Sequence, residues 1–164
     1  MSAIDRALIN NAVHASGHPV QVLMAAPAQR LAVVTCIDAR IPVPAMLGLE
    51  DGDAHILRNA GGVITEDVIR SLVISQRLLG TREIMLIHHT DCGMLSFRDD
   101  ELKDQIERDT GIRPPFAMEA FTSLEDDVRR SIARLLASPF IPWKDGVRGF
   151  VYDIGTGKLS EVRG

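Results

Sequence analysis

The chain has 164 residues, 46% hydrophobic and 24% charged, with a net charge of −4; that length buries roughly 70% of the unfolded surface, so residues 1–164 are expected to fold as one domain. The acidic balance argues against a general nucleic-acid binder or a polybasic membrane-surface protein, and two cysteines are too few for a disulfide framework. The opening MSAIDRALINNAVHAS lacks a basic segment leading into an apolar one, and no run reaches 18 apolar residues, so the expected compartment is the cytoplasm.

Ser2 to about His14 reads as a helix, with Ser2 as cap, Asp5 three residues on, and Ile4, Ala7, Leu8 and Ala12 on its apolar side. Alone it is marginal in water, so residues 1–16 are expected to pack on something, a partner subunit included. Gly17 to Pro19 break the pattern. Leu31–Cys36 is a short continuous apolar run, the signature of a strand buried on both faces. Pro42 and Pro44 exclude a central strand just beyond it. Asp53–Arg58 is a second strand, running into the turn Asn59-Ala60-Gly61-Gly62. Thr65 caps a helix from about Glu66 to Leu79, stopped by Gly80. Glu83–His89, EIMLIHH, is a third buried strand, which completes a right-handed βαβ unit. Ser96 to about Arg108 is a charged amphipathic helix. Ser123 starts another, with Leu124, Val128, Ile132, Leu135 and Leu136 as its buried stripe. Gly149–Ile154 and Lys158–Val162 read as a hairpin-like pair. The fold class is α/β, a small sheet with helices on both sides.

Polar chemistry gathers where the buried strands end. Cys36 closes the first strand; His89 ends the third, and Cys92 lies three residues further on in HHTDCG. In an open α/β sheet, ligands bind beyond the carboxyl ends of the strands, so these three side chains converge if their strands are neighbours. Two thiolates and an imidazole are a sound donor set for zinc, and three protein ligands leave one tetrahedral position open. Water and Asp38 are the candidates for it. Arg40 can hold Asp38 bidentately and draw it off the metal. The residues alone leave other readings open: both cysteines as inert buried thiols, or as a redox pair. His88 competes with His89, and spacing to Cys92 favours His89. His55 and His88 are candidates to carry a proton outward. Asp91 reads as an acceptor beside the site or as the cap of the next turn.

Cys36-Ile37-Asp38-Ala39-Arg40 resembles the CxDxR motif of β-class carbonic anhydrases, and His89-Thr90-Asp91-Cys92-Gly93 resembles their HxxCG motif. Arg58-Asn59-Ala60-Gly61 is similar to the RNAG segment between the two. The likeness continues through Asp127–Ser131 and Gly149–Asp153 and is strongest to the short prokaryotic members. It implies zinc, one per chain, on Cys36, His89 and Cys92, with Asp38 as a fourth ligand only in a closed resting state. It implies an Asp38–Arg40 catalytic dyad and a substrate pocket lined by Asn59, Ala60 and Gly61. It further implies a four-stranded parallel core sheet, and homodimers or tetramers in which the first helix reaches over the partner. The implied activity is the reversible hydration of carbon dioxide to bicarbonate and a proton. The alternatives are hydrolysis of carbonyl sulfide or carbon disulfide at the same site, and zinc binding without catalysis. Ala39, often Ser in the family, and Gly62, often another residue, depart from the common pattern without removing a ligand.

Overall fold

The computed structural model describes residues 1–18 and 23–163. In chain order they form α1 (Ala3–Gly17), β1 (Leu31–Cys36), α2 (Val43–Leu47), β2 (Ala54–Asn59), α3 (Glu66–Arg77), β3 (Glu83–His89), α4 (Asp99–Thr110), α5 (Leu124–Ala137), β4 (Gly146–Tyr152) and β5 (Leu159–Val162). Short 3₁₀ turns at Ala60–Gly62 and Gly93–Leu95 follow β2 and β3.

The strands lie in the order β2-β1-β3-β4-β5. The first four are parallel, and β5 returns antiparallel on β4, as the hairpin pattern predicts. The expected four-stranded parallel core is therefore present within a five-stranded sheet. The βαβ connection from β2 through α3 to β3 passes over β1 rather than joining neighbours. From β1 the chain steps outward to β2 and then back across to β3. That reversal puts the crevice for a ligand at the carboxyl ends of β1 and β3. Register brings Cys36 beside Asn59 and Thr35 beside Ile87, so the three strands end at nearly one level.

β1 is buried from Ala32 to Cys36 because both faces of the sheet are covered. One apolar layer joins Val33, Ile87, Ile41, Val63, Met94 and Phe121. The other joins Ala32, Val34, Ile84 and Leu86 to Val68 and Leu72 of α3 and Leu135 of α5. At about 1.5–3 kcal/mol for each large apolar side chain fully removed from water, these layers are the main favourable term. Gly149 lets α5 approach β4 closely: a Cβ there would overlap Val128 and lie 2.8 Å from Ile132 Cδ1.

Caps set the helix starts. Ser2 Oγ accepts the Asp5 N–H while the Asp5 carboxylate accepts the Ser2 N–H at 2.7 Å. Thr65 and Ser123 cap α3 and α5 through the N–H groups of Val68 and Asp126. Helix α1 runs to Gly17, beyond the expected end near His14, and none of its residues is buried. Pro19 of the expected break lies outside the described residues. Helix α4 begins at Asp99 rather than Ser96, because residues 93–95 form a 3₁₀ turn first. Pro42 and Pro44, which exclude a strand, open α2, where a missing N–H costs nothing. Leu136 is 44% exposed and does not belong to the buried stripe of α5. Asp127, buried one turn before Ser131, takes part in that face instead.

Candidate metal centre

Cys36 ends β1, His89 ends β3, and Cys92 opens the turn that follows; all three are buried. Their ligating atoms lie within 4.8 Å of one another, a group that could hold a metal ion. His89 Nδ1 faces the Thr90 carbonyl at 2.9 Å, which fixes the ring when that nitrogen carries the proton. The other nitrogen, Nε2, is then an acceptor. It is buried without a hydrogen-bond partner, beside the two sulfurs. A buried imidazole nitrogen with no partner, beside two buried thiols, is the donor set that suits a borderline-soft cation.

The sulfurs are not equivalent. The Cys92 thiol and the backbone N–H groups of Asp38 and Gly61 hold the Cys36 thiol well below its ordinary pKa. The Gly61 N–H donates to Cys36 Sγ at 3.3 Å. Cys92, which shares a proton with Cys36, is pushed up correspondingly. Gly61 packs under Met94 and Phe121. Gly62 has φ +70°, and a Cβ there would lie 2.8 Å from the Thr35 carbonyl carbon and 2.9 Å from the Cys36 nitrogen. Glycine is therefore required where this chain departs from the common pattern, since backbone cannot yield to a side chain.

Beside the three donors, Arg40 grips Asp38. Nε meets Oδ1 at 3.0 Å, Nη2 meets Oδ2 at 2.7 Å, and the Arg40 backbone N–H adds a third bond to Oδ1. This guanidinium holds the Asp38 carboxyl well below the usual carboxylate range. Asp38 Oδ2 lies 3.8 Å from His89 Nε2. Arg58 fastens the loop carrying Asp38, donating to the carbonyls of Cys36, Asp38 and Ile41. The RNAG likeness singles out Arg58 as part of a motif, but its task of collecting three carbonyls needs the fold to be seen. Asn59 donates to the Val63 carbonyl at 2.8 Å and leaves Oδ1 buried without a partner. Ala60 is exposed, whereas Gly61 is buried beside Cys36.

Both histidines considered as proton carriers are placed elsewhere. His55, at the amino end of β2, bonds Ser75 Oγ and the Ala25 carbonyl at the opposite end of the parallel strands from Cys36. His88 is fully buried, with Nε2 2.8 Å from Asp127 Oδ2 and its ring against Phe121. Neither side chain reaches solvent from the centre. Asp91 caps nothing; it accepts from Arg40, with φ +56°. Among the described residues, no helix is long and apolar enough to cross a membrane.

The carbonic anhydrase family model matches residues 31–117. Over 99% of both chains the sequence is 52% identical to β-carbonic anhydrase 1 of Mycobacterium tuberculosis. It is 35% identical to carbon disulfide hydrolase of Saccharolobus solfataricus, over 81% of this chain and 77% of that one. The structure superposes on carbonic anhydrase from Streptococcus mutans with a TM-score of 0.93 and 45% identity, over 99% of both chains. A likeness this close across the whole length makes the chain a member of the β-carbonic anhydrase family, metalloenzymes that hydrate carbon dioxide.

Proposed function

We propose that Cys36, His89 and Cys92 hold one zinc ion per chain and that carbon dioxide is hydrated beside it. The observation that carries the zinc assignment is the partnerless Nε2 of His89 among two buried thiols. When bound, zinc would supply the Lewis acidity that lowers the pKa of water and makes a nucleophile of it. The chain's own residues supply position. Asp38, kept ionised by Arg40, is an acceptor at every working pH, so it accepts a hydrogen bond from the attacking water, without taking its proton, and aims the lone pair at carbon. The Arg58 clamp holds Asp38's backbone while this happens. The segment Asn59–Gly61 lines the pocket, where a small apolar substrate needs room rather than a charged anchor. Two thiolates offset more of the ion's charge than neutral imidazoles do, so activity favours alkaline pH. Asp38 also serves as a fourth ligand in a closed resting state, when its hold on Arg40 is lost.

The exposed apolar residues of α1 support a homodimer or tetramer, with α1 packed on a partner. Two buried cysteines assigned as metal ligands, with no disulfide between them, are in keeping with a cytoplasmic protein.

Carbon disulfide hydrolase is among the relatives, so the test runs both substrates in parallel. Protein purified without added metal should carry about one zinc per chain, and stopped-flow assays should show carbon dioxide hydration far above sulfide release from carbon disulfide or carbonyl sulfide. Zinc below half an equivalent in folded protein rejects the zinc assignment. Sulfide release that exceeds hydration moves the chain to the second reaction, and neither activity from zinc-loaded protein leaves a zinc-binding protein without catalysis.

A further inference from the structure

We infer that Asp91 is a positioning residue: it latches Arg40, and through Arg40 it keeps the Asp38 carboxylate on the guanidinium rather than free to bind the metal. The inference rests on the zinc reading of Cys36, His89 and Cys92. Asp38 and Arg40 lie two residues apart on one loop, so the pair by itself is local and moves as a unit. Arg58 fixes the backbone of that loop through the carbonyls of Cys36, Asp38 and Ile41, but it does not touch the Arg40 guanidinium, whose side-chain position needs a separate partner. Asp91 is 51 residues further along, on the turn between His89 and Cys92. Arg40 Nη1 donates to Asp91 Oδ2 at 2.6 Å, and Arg40 Nη2 donates to the Asp91 carbonyl at 3.0 Å. The guanidinium is thus shared between two carboxylates, its Nε–Nη2 edge on Asp38 and its remaining edge on Asp91.

The turn that presents Asp91 is anchored. The Thr90 N–H donates to the Tyr152 carbonyl at 2.9 Å, and Thr90 Oγ1 accepts the Ile154 N–H at 3.0 Å. Asp91 has φ +56°, a conformation that side chains other than glycine, asparagine and aspartate rarely adopt. With this backbone, carbonyl and carboxylate of one residue both reach Arg40. Such a conformation persists where surrounding structure fixes it, and it collects at sites that need a particular geometry. The Asp91 side chain is 80% exposed, so the pair adds little to stability. Its effect is on where Arg40 sits, and stability and position can therefore be separated by experiment.

The test uses Asp91→Asn, which keeps shape and backbone preference, and Asp91→Gly, which also relieves the backbone. Each is prepared with zinc and with cobalt in its place, alongside the wild type and the double variant Asp38→Asn/Asp91→Asn. Metal content and thermal midpoint should match the wild type in both single variants. At one fixed neutral pH their cobalt spectra should change toward that of a carboxylate-ligated ion. Their kcat should fall about tenfold with KM little altered, the scale of losing a partner that orients a metal site. In the double variant no Asp38 carboxylate remains to bind, so the cobalt spectrum should return to the wild-type form. Wild-type spectra and kcat in both metal-loaded single variants overturn the latch. A spectral change that survives in the double variant overturns it too, because the effect then does not pass through Asp38. A wild-type protein that takes up neither metal overturns the zinc reading, and the latch with it.

Discussion

At the level of single residues, the proposed function separates groups that hold from groups that aim. Cys36, His89 and Cys92 are buried donors with no other task. Asp38 is different, because Arg40 holds its carboxyl far below the ordinary range and keeps it an acceptor at any pH where the enzyme works. Its folded pKa is depressed, so it protonates only in strong acid, and a rate loss in mild acid has another origin. Asp38→Asn puts a donor where an acceptor is needed but leaves three protein ligands. Zinc content should stay at the wild-type level, while hydration falls about 10–100-fold across the pH range without movement of the acid limb. Arg40→Ala should fail in another way, by releasing Asp38 to compete with water for the metal, and the loss should ease as pH rises. Rate profiles with metal content measured in each variant check both outcomes. Wild-type rates from fully loaded Asp38→Asn would remove Asp38 from the reaction.

Elements were legible in the sequence where one signal dominated. β1 and β3 are continuous apolar runs because both faces are covered, and the runs Leu31–Cys36 and Glu83–His89 coincide with the strands. The spacing of His89 to Cys92 also set it apart from His88, which turns instead to Asp127 of α5. Asp127 itself was hidden: an acid in the first turn of a helix reads as a solvated charge matched to the helix dipole. Only the packing of α5 on β3, 39 residues back, shows it buried. Asp99 at the start of α4 is hidden in the same way. Asp99 looks like one more acid in a charged run. Its carboxylate accepts the backbone N–H groups of Met118, Glu119 and Ala120, at 2.9, 3.2 and 2.8 Å. It thereby fixes the loop that delivers Phe121 against Gly61. Burial opposes ionisation of Asp99, but the three N–H donors outweigh it, and its pKa is lowered. Because the folded pKa lies below the unfolded value of about 3.9, the gain is complete above that pH and is lost as pH falls through the folded pKa. Asp99→Asn should therefore cost about 1 kcal/mol at pH 7, a drop of roughly 2–4 °C in the unfolding midpoint. The deficit should shrink in unfolding experiments in acid, as pH falls through the folded pKa of Asp99. A deficit of equal size at both pH values would assign the effect to shape rather than charge.

For the whole molecule, the sheet explains its own site but not its first helix. β1 and β3 meet at the reversal of strand order, and the centre follows from that topology and from the residues that end the strands. Helix α1 has its reciprocal cap and helical period, yet Ile4, Leu8, Ile9 and Val13 are all more than half exposed. A 15-residue helix is marginal alone in water, and four large apolar side chains on it need cover. Among the described residues, the other elements leave them open, which favours a second copy as the cover. This part of the architecture was readable only as an incomplete element, since no single chain can show what completes it. The protein should sediment at micromolar concentration with no dominant species near 18.0 kDa. Replacing Leu8 and Val13 together by Asp sets two charges on that surface and leaves the cap at Ser2 and Asp5 intact. The variant should shift toward the 18.0 kDa species, with the far-ultraviolet spectrum of the sheet and remaining helices preserved. If the wild type already runs as a monomer with full activity, α1 has no part in assembly. If the double variant keeps the wild-type mass, the subunits meet through another surface.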